Sequence, residues 1–359
     1  MSEEVLFEEL AGHHGSIGLI TLNRPKQLNS ITQTMSTAIL WQLNEWQHKD
    51  SIKAVVICGM GEKAFCAGGD LSTAWRFQDT PEKSRDFFIH EYSLYHYIFH
   101  FPKPYIAFIQ GITFGGGSGL SILGKYRIAA ETLRFSMPET GIGFFTDAGA
   151  SHFLTRCRGK IGWYLGLTGT IINAYDALYA GLVDIVMDVQ QFPNLLKALV
   201  DILGSEDLNN SIQQIMRSFA IFSEPSTLQQ QQSIIDACFS KSSIEKILDA
   251  LMEQLDEWPQ QVYQRLLQRS PLSLKIVLEE LNRGAHMDFI DCIRMEYRIA
   301  NRFLTTPDFY EGIRAAIIDK DRSPHWTVDT LDKVTAEDVA RYFEPLGEKE
   351  ELEIYNERK

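Results

Sequence analysis

Two carboxylates, Glu139 and Asp147, lie eight positions apart in a stretch, Met137 to Gly149, that is otherwise apolar and rich in glycine. A carboxyl group taken out of water holds its proton more tightly, so its pKa climbs toward neutrality. That suits general acid–base or nucleophilic service. Either carboxylate alone could equally cap a helix or meet an arginine. Two glycine clusters precede them. In Ala64-Phe65-Cys66-Ala67-Gly68-Gly69-Asp70-Leu71, successive glycines permit a backbone path barred to other residues, which can leave an amide facing open space. A tight turn is the plainer reading. Gly111 to Leu120, with Gly115-Gly116-Gly117, follows a strand and can open a helix, whose first amides are unpaired at the positive end of the dipole. Close helix–strand packing would also explain those glycines. Phosphate-loop and nucleophile-elbow readings fail: no Lys-Ser/Thr follows, and neither G-x-G-x-x-G nor G-x-S-x-G fits the register.

The elements that must position these residues alternate. Ile17 to Leu22 reads as a strand, and Thr32 to His48 as a helix with Met35, Ile39, Leu43 and Trp46 at helical spacing. Ala54 to Cys58 is a buried strand, Phe87 to Phe99 a helix stopped by Pro102 and Pro104, and Tyr105 to Gln110 a further strand. This β-α-β order predicts parallel strands with covering helices. Later the strand-like runs vanish. Ser270-Pro271 has the form of a helix start, Gly284 of its end, and helices are expected over Asp291 to Phe303 and Phe309 to Ile318. The expected division is residues 1–200 as the α/β core carrying the site, 201–265 as a helical insertion, and 266–359 as a C-terminal helical region.

Composition narrows the chemistry. With 359 residues, 45% hydrophobic, the chain can bury a large core. A formal net charge of −13 argues against nucleic acid or an anionic membrane as partner. The five cysteines are odd in number and form no C-x-x-C pair, which points to free thiols in a reducing compartment. The histidines show no metal-ligand spacing, so no metal site is expected. With no leader, membrane span or peroxisomal signal in view, the expected location is cytoplasmic.

In order, Asn23-Arg24-Pro25, the F-C-A-G-G-D segment, the G-G-G segment and Met137-Pro138-Glu139-Thr140 resemble the crotonase, or enoyl-CoA hydratase/isomerase, superfamily. The pairing of Glu139 with Asp147, Ser270 to Lys275, Met295-Glu296-Tyr297-Arg298, and Asp308 to Ala315 running on through Asp321 to Trp326 resemble its 3-hydroxyisobutyryl-CoA hydrolase branch, over nearly the whole chain. The resemblance implies an α/β fold, a spiral of β-β-α units with a helical C-terminal region. It implies that the amides of Gly69 and Gly116 form an oxyanion hole, and that Gly68, Gly69, Asp70 and Leu71 lie against the coenzyme A adenine end. Glu91, Gly116, Glu139 and Asp147 would contact the acyl group. Read without the resemblance, Glu91 is an ordinary helix-surface residue.

Two departures stand out. Hydratases of the family carry a first catalytic glutamate where this chain has Gly119, and the hydrolases usually carry proline where it has Thr146. The implied activity is hydrolysis of a short 3-hydroxyacyl-CoA thioester, as in valine degradation. Coenzyme A enters as part of the substrate, with no other cofactor, and a homo-oligomer is admissible. A hydratase- or isomerase-type reaction using Glu139 and Asp147, and a catalytically silent coenzyme A-binding protein, are the alternatives.

Overall fold

The computed structural model describes residues 3–354 apart from 77, 79, 222–224, 348 and 349. The chain divides into two compact units that interleave in sequence. The first comprises Met1–Gly69, Ser93–Phe135 and Ile171–Ser226; the second comprises Asp70–Tyr92, Ser136–Thr170 and Thr227–Lys359.

The first unit is built on two sheets. Strands β1 (Val5–Gly12) and β2 (Gly15–Leu22) form an antiparallel hairpin. Strands β3 (Ile52–Gly59), β5 (Tyr105–Ile109), β7 (Tyr126–Ala130) and β10 (Ile185–Met187) then extend it in parallel, in the order β1-β2-β3-β5-β7-β10. A smaller sheet is ordered β4 (Ala64–Cys66), β6 (Ile112–Phe114), β8 (Arg134–Ser136), β9 (Ile172–Asn173). Each pass of the chain thus lays one strand in each sheet: β3 with β4, β5 with β6, β7 with β8, β9 with β10. That is the expected spiral of β-β repeats joined by helices.

Alternate side chains of the large sheet, Val56 and Cys58, Ile106 and Phe108, Ile128 and Ala130, bury one face against helices Phe192–Asp201 and Leu208–Phe219. Phe108 stacks on Phe192 with ring centroids 4.0 Å apart. The opposite faces of β3 and β5 are buried too, which is why both read as unbroken apolar runs. Thr32, placed inside the helix on sequence, instead caps helix Gln33–His48, its side chain accepting from Met35 N at 3.2 Å.

The second unit is helical. Its longer helices include Ile161–Thr168, Thr227–Phe239, Ile244–Met252, Glu257–Leu267, Pro271–Gly284 and Phe289–Phe303. Ser270 caps the Pro271 helix by accepting from Ser273 N at 3.3 Å. Helix Pro81–Phe99 begins before Phe87, since Lys83, Arg85 and Asp86 give its first turns no apolar repeat. Phe309 to Ile318 divides into helix Pro307–Ile313 and a π-helical turn, Arg314–Ile318. There Arg314 pairs with Glu311 at 2.8 Å and with Asp319 and Asp321 at 2.6 Å, a structural ion-pair cluster. Among the described residues no helix is long and apolar enough to cross a membrane.

Candidate active site

The two glycine bends meet in the first unit. Gly68 adopts φ 102°, a left-handed conformation that favours glycine, and its carbonyl accepts from Ile31 N at 2.9 Å. A side chain added at Gly68 would start 3.2 Å from the Phe114 carbonyl oxygen and 3.6 Å from the Gly116 nitrogen. The segment entering Gly69 therefore runs alongside the turn entering Gly116. Gly69 itself makes an isolated parallel bridge with Ile31. Gly116 is the first residue of the short helix Gly116–Ser121, so its amide has no partner within that helix.

Gly119 lies on the same helix against the ring of buried Tyr95. A Cβ there would sit 2.5–2.7 Å from three ring carbons. Tyr95 is locked in place, its hydroxyl donating to the Gly116 carbonyl at 3.0 Å. No side chain fits at position 119 unless that ring moves.

The carboxylates gather in the second unit. Glu139 opens the 3-10 turn Glu139–Ile142, and its carbonyl accepts from Phe144 N at 3.1 Å. Thr140 Oγ1 donates to the Leu167 carbonyl, and Ser270 N donates to the Thr140 carbonyl, tying the turn to two helices. Glu139 is buried, and among the described residues its Oε2 has no hydrogen-bond partner. Asp147 accepts from the hydroxyl of fully buried Tyr92 at 3.1 Å. Around them Phe144 stacks on Phe88 and packs against Phe303 and Phe309, while Phe145 stacks on Phe303.

Three further buried glutamates accompany the pair: Glu91, which exposes only 2%, and Glu280 and Glu296, which expose none. The reading of Glu91 as a helix-surface residue fails, because it shares the buried stripe of its helix with Phe88, Tyr92 and Tyr95. Sequence reasoning passed over Tyr92, Tyr95, Glu280 and the role of Glu296. The signal was an acid on an apolar helical stripe: Glu280 among Ile276, Val277 and Leu281, and Glu296 among Cys292, Ile293, Ile299 and Ala300. His152 packs edge-on against Phe289.

Among the described residues, neither Lys nor Arg pairs with Glu139, Asp147, Glu280 or Glu296, so no cationic partner offsets the burial of their charge. Burial, then the charge of Asp147, pushes Glu139 well above the usual carboxyl range. Asp147 is pushed up to about 7 by burial, against the opposing hydrogen bond from Tyr92. Burial raises Glu296 to about 8, and burial with the charge of Glu296 raises Glu280 strongly.

A stability effect follows. Unfolded, these carboxyls titrate near pH ~4, so up to about pH 8 the folded chain holds the more protons. Their contribution is complete below that window and is lost as pH rises through the folded pKa values. His152, lowered to about 4 by burial, works the other way, but only below its ordinary 6.5. Thermal melting is therefore expected to fall between roughly pH 6.5 and 8.5; a rise across that interval would contradict a cluster without cationic partners.

The profile of the enoyl-CoA hydratase/isomerase family matches residues 17–343. The chain belongs to this family. It is 40% identical over 353 residues to "3-hydroxyisobutyryl-CoA hydrolase, mitochondrial" of Danio rerio, covering 97% of this chain and 91% of that one. A solved carnitinyl-CoA dehydratase from Mycobacterium thermoresistibile matches with TM-score 0.90, 32% identity and 99% of both chains covered. A solved enoyl-CoA hydratase from Rhodobacter sphaeroides 2.4.1 matches with TM-score 0.87 and 34% identity, covering 98% and 99%. The family member described here thus resembles proteins named for hydrolysis, dehydration and hydration of acyl-CoA esters.

Proposed function

We propose that this family member hydrolyses the thioester of a short 3-hydroxyacyl-CoA, with 3-hydroxyisobutyryl-CoA the first candidate. The observation that carries this reading over hydration is the Tyr95 ring against Gly119. Hydration in this family calls for a first glutamate at that position, and the space for it is taken. The name of the Danio rerio relative supports the same choice.

In the proposed reaction the amides of Gly69 and Gly116 hold the thioester oxygen as negative charge develops on it. One such donor is commonly worth about 3 kcal/mol of barrier. Glu139 delivers the attack, directly or through a water it deprotonates, and needs its ionised form to do so. The carbon–sulfur bond breaks, the thiol leaves with a proton, and one water is consumed to give the free acid. Asp147 and Glu91 hold the 3-hydroxyl, so an acyl group lacking it should be rejected strongly. Gly68, Gly69, Asp70 and Leu71 receive the coenzyme A adenine end. This chemistry calls on no metal or redox cofactor. A cytoplasmic location and a role in valine degradation belong to the same proposal, and cell fractionation tests the first of these.

The experiment is thiol release from a panel of acyl-CoA esters. We expect steady release from 3-hydroxyisobutyryl-CoA, weaker release from isobutyryl-CoA, and a rate that rises with pH as Glu139 gives up the proton that burial and the charge of Asp147 make it hold. Water addition to an enoyl-CoA without thiol release would transfer the assignment to the hydratases.

A further inference from the structure

The loop that carries Asp147 is gripped on both sides by buried glutamates that do not reach the substrate in the proposed reaction. After Asp147 the backbone makes two consecutive left-handed residues, Ala148 at φ 63° and Gly149 at φ 82°. For alanine that conformation costs roughly 1–2 kcal/mol, so it persists only where the surroundings hold it. The holder is Glu296, projecting from helix Phe289–Phe303. Its Oε2 accepts from Gly149 N at 2.7 Å, and its Oε1 accepts from Ser151 N at 3.0 Å and from the Ser151 hydroxyl at 2.5 Å.

Three donors converge on one carboxyl group, so an internal side chain occupies them. The amides of Gly149 and Ser151 are thereby spent and cannot serve a substrate oxyanion. On the near side of Asp147, Thr146 Oγ1 donates to Glu280 Oε2 at 3.1 Å. Behind the loop, Gly284 of the same helix as Glu280 presses its bare backbone on the Ser151 carbonyl.

We propose that Glu296 is a positioning residue for Asp147, fixing its carboxylate toward the substrate hydroxyl by clamping the Gly149 and Ser151 amides, with Glu280 steadying the loop through Thr146. The inference rests on the role given to Asp147 above, but the clamp itself can be read without turnover. Gln at position 296 keeps the shape but replaces one of the two accepting oxygens with an N–H₂, which then faces either the Gly149 N–H or the two Ser151 donors.

The test compares wild type with Glu296→Gln in two readouts. Hydrogen exchange followed by mass spectrometry should show faster exchange confined to a peptide spanning residues 146–152. Thiol release from 3-hydroxyisobutyryl-CoA should show kcat down about tenfold to a hundredfold with KM within about threefold, as expected when a reacting group is displaced while binding is kept. A purely structural lesion would instead speed exchange across the helices. Unchanged exchange over 146–152 in folded Glu296→Gln overturns the clamp. Faster local exchange with wild-type kcat overturns the positioning role. Absence of thiol release by wild type refutes the hydrolase reading alone and leaves the exchange result to decide the clamp. Should Glu296→Gln not fold, Ser151→Ala removes one donor only, and unchanged local exchange there would count equally against the proposal.

Discussion

Glu139→Gln is expected to lower thiol release from 3-hydroxyisobutyryl-CoA by roughly 10²–10⁴-fold, the range of a lost general base or nucleophile, while leaving the fold intact. The two halves of that outcome have separate causes. Activity falls because an amide neither attacks a carbonyl nor takes a proton from water at neutral pH. The fold survives because Glu139 Oε2 has no described partner to lose and the replacement is nearly the same size. Removing a charge from a cluster without cationic partners should even raise the melting temperature at pH 8, where Asp147 and Glu296 are both losing protons. Turnover unchanged in a well-folded variant would remove Glu139 from its proposed role, whatever happened to stability.

Gly119→Glu should be among the most damaging single changes in the first unit, and it should not create a hydratase. The new Cβ would meet the Tyr95 ring well inside contact distance, and that ring is pinned through its hydroxyl to the Gly116 carbonyl. Overpacking typically costs 1–3 kcal/mol, and an unpaired carboxylate in the same buried place adds several more. The helix it would disturb begins at Gly116, so thiol release should fall with stability. Chemical unfolding measures the first effect, and water addition to an enoyl-CoA tests the second. A stable variant that hydrates would mean that Tyr95 yields readily, and with it the argument against hydration.

Much of the first unit was legible because its strands obey one simple rule. Buried on both faces, β3 and β5 read as unbroken apolar runs, and the glycine-rich turns that follow them mark where the chain changes direction. One helix cap was legible for the same local reason: Ser270-Pro271 acts within a few residues of itself. Glu139 and Asp147 could be noticed because they are acids in an apolar loop. What escaped was non-local. Nothing near position 119 announces that Tyr95, on another helix, fills the space beside it. Glu280 and Glu296 sit 134 and 145 residues from Thr146 and Ser151, their loop partners. The apolar stripes they interrupt hint at burial but not at what they hold.

The alternation of the chain between its two units bears on how the protein is made. The first unit lacks its last strand and the two covering helices until residues 171–226 have been synthesised, and the second needs everything through the helices beyond Thr227. Neither half can be completed early on the ribosome and then wait for the other, as tandem modules do. Folding of this chain is a late event. A break anywhere before Ser226 leaves both units short of residues, so truncated products should be cleared as unfolded chains rather than persist as stable fragments.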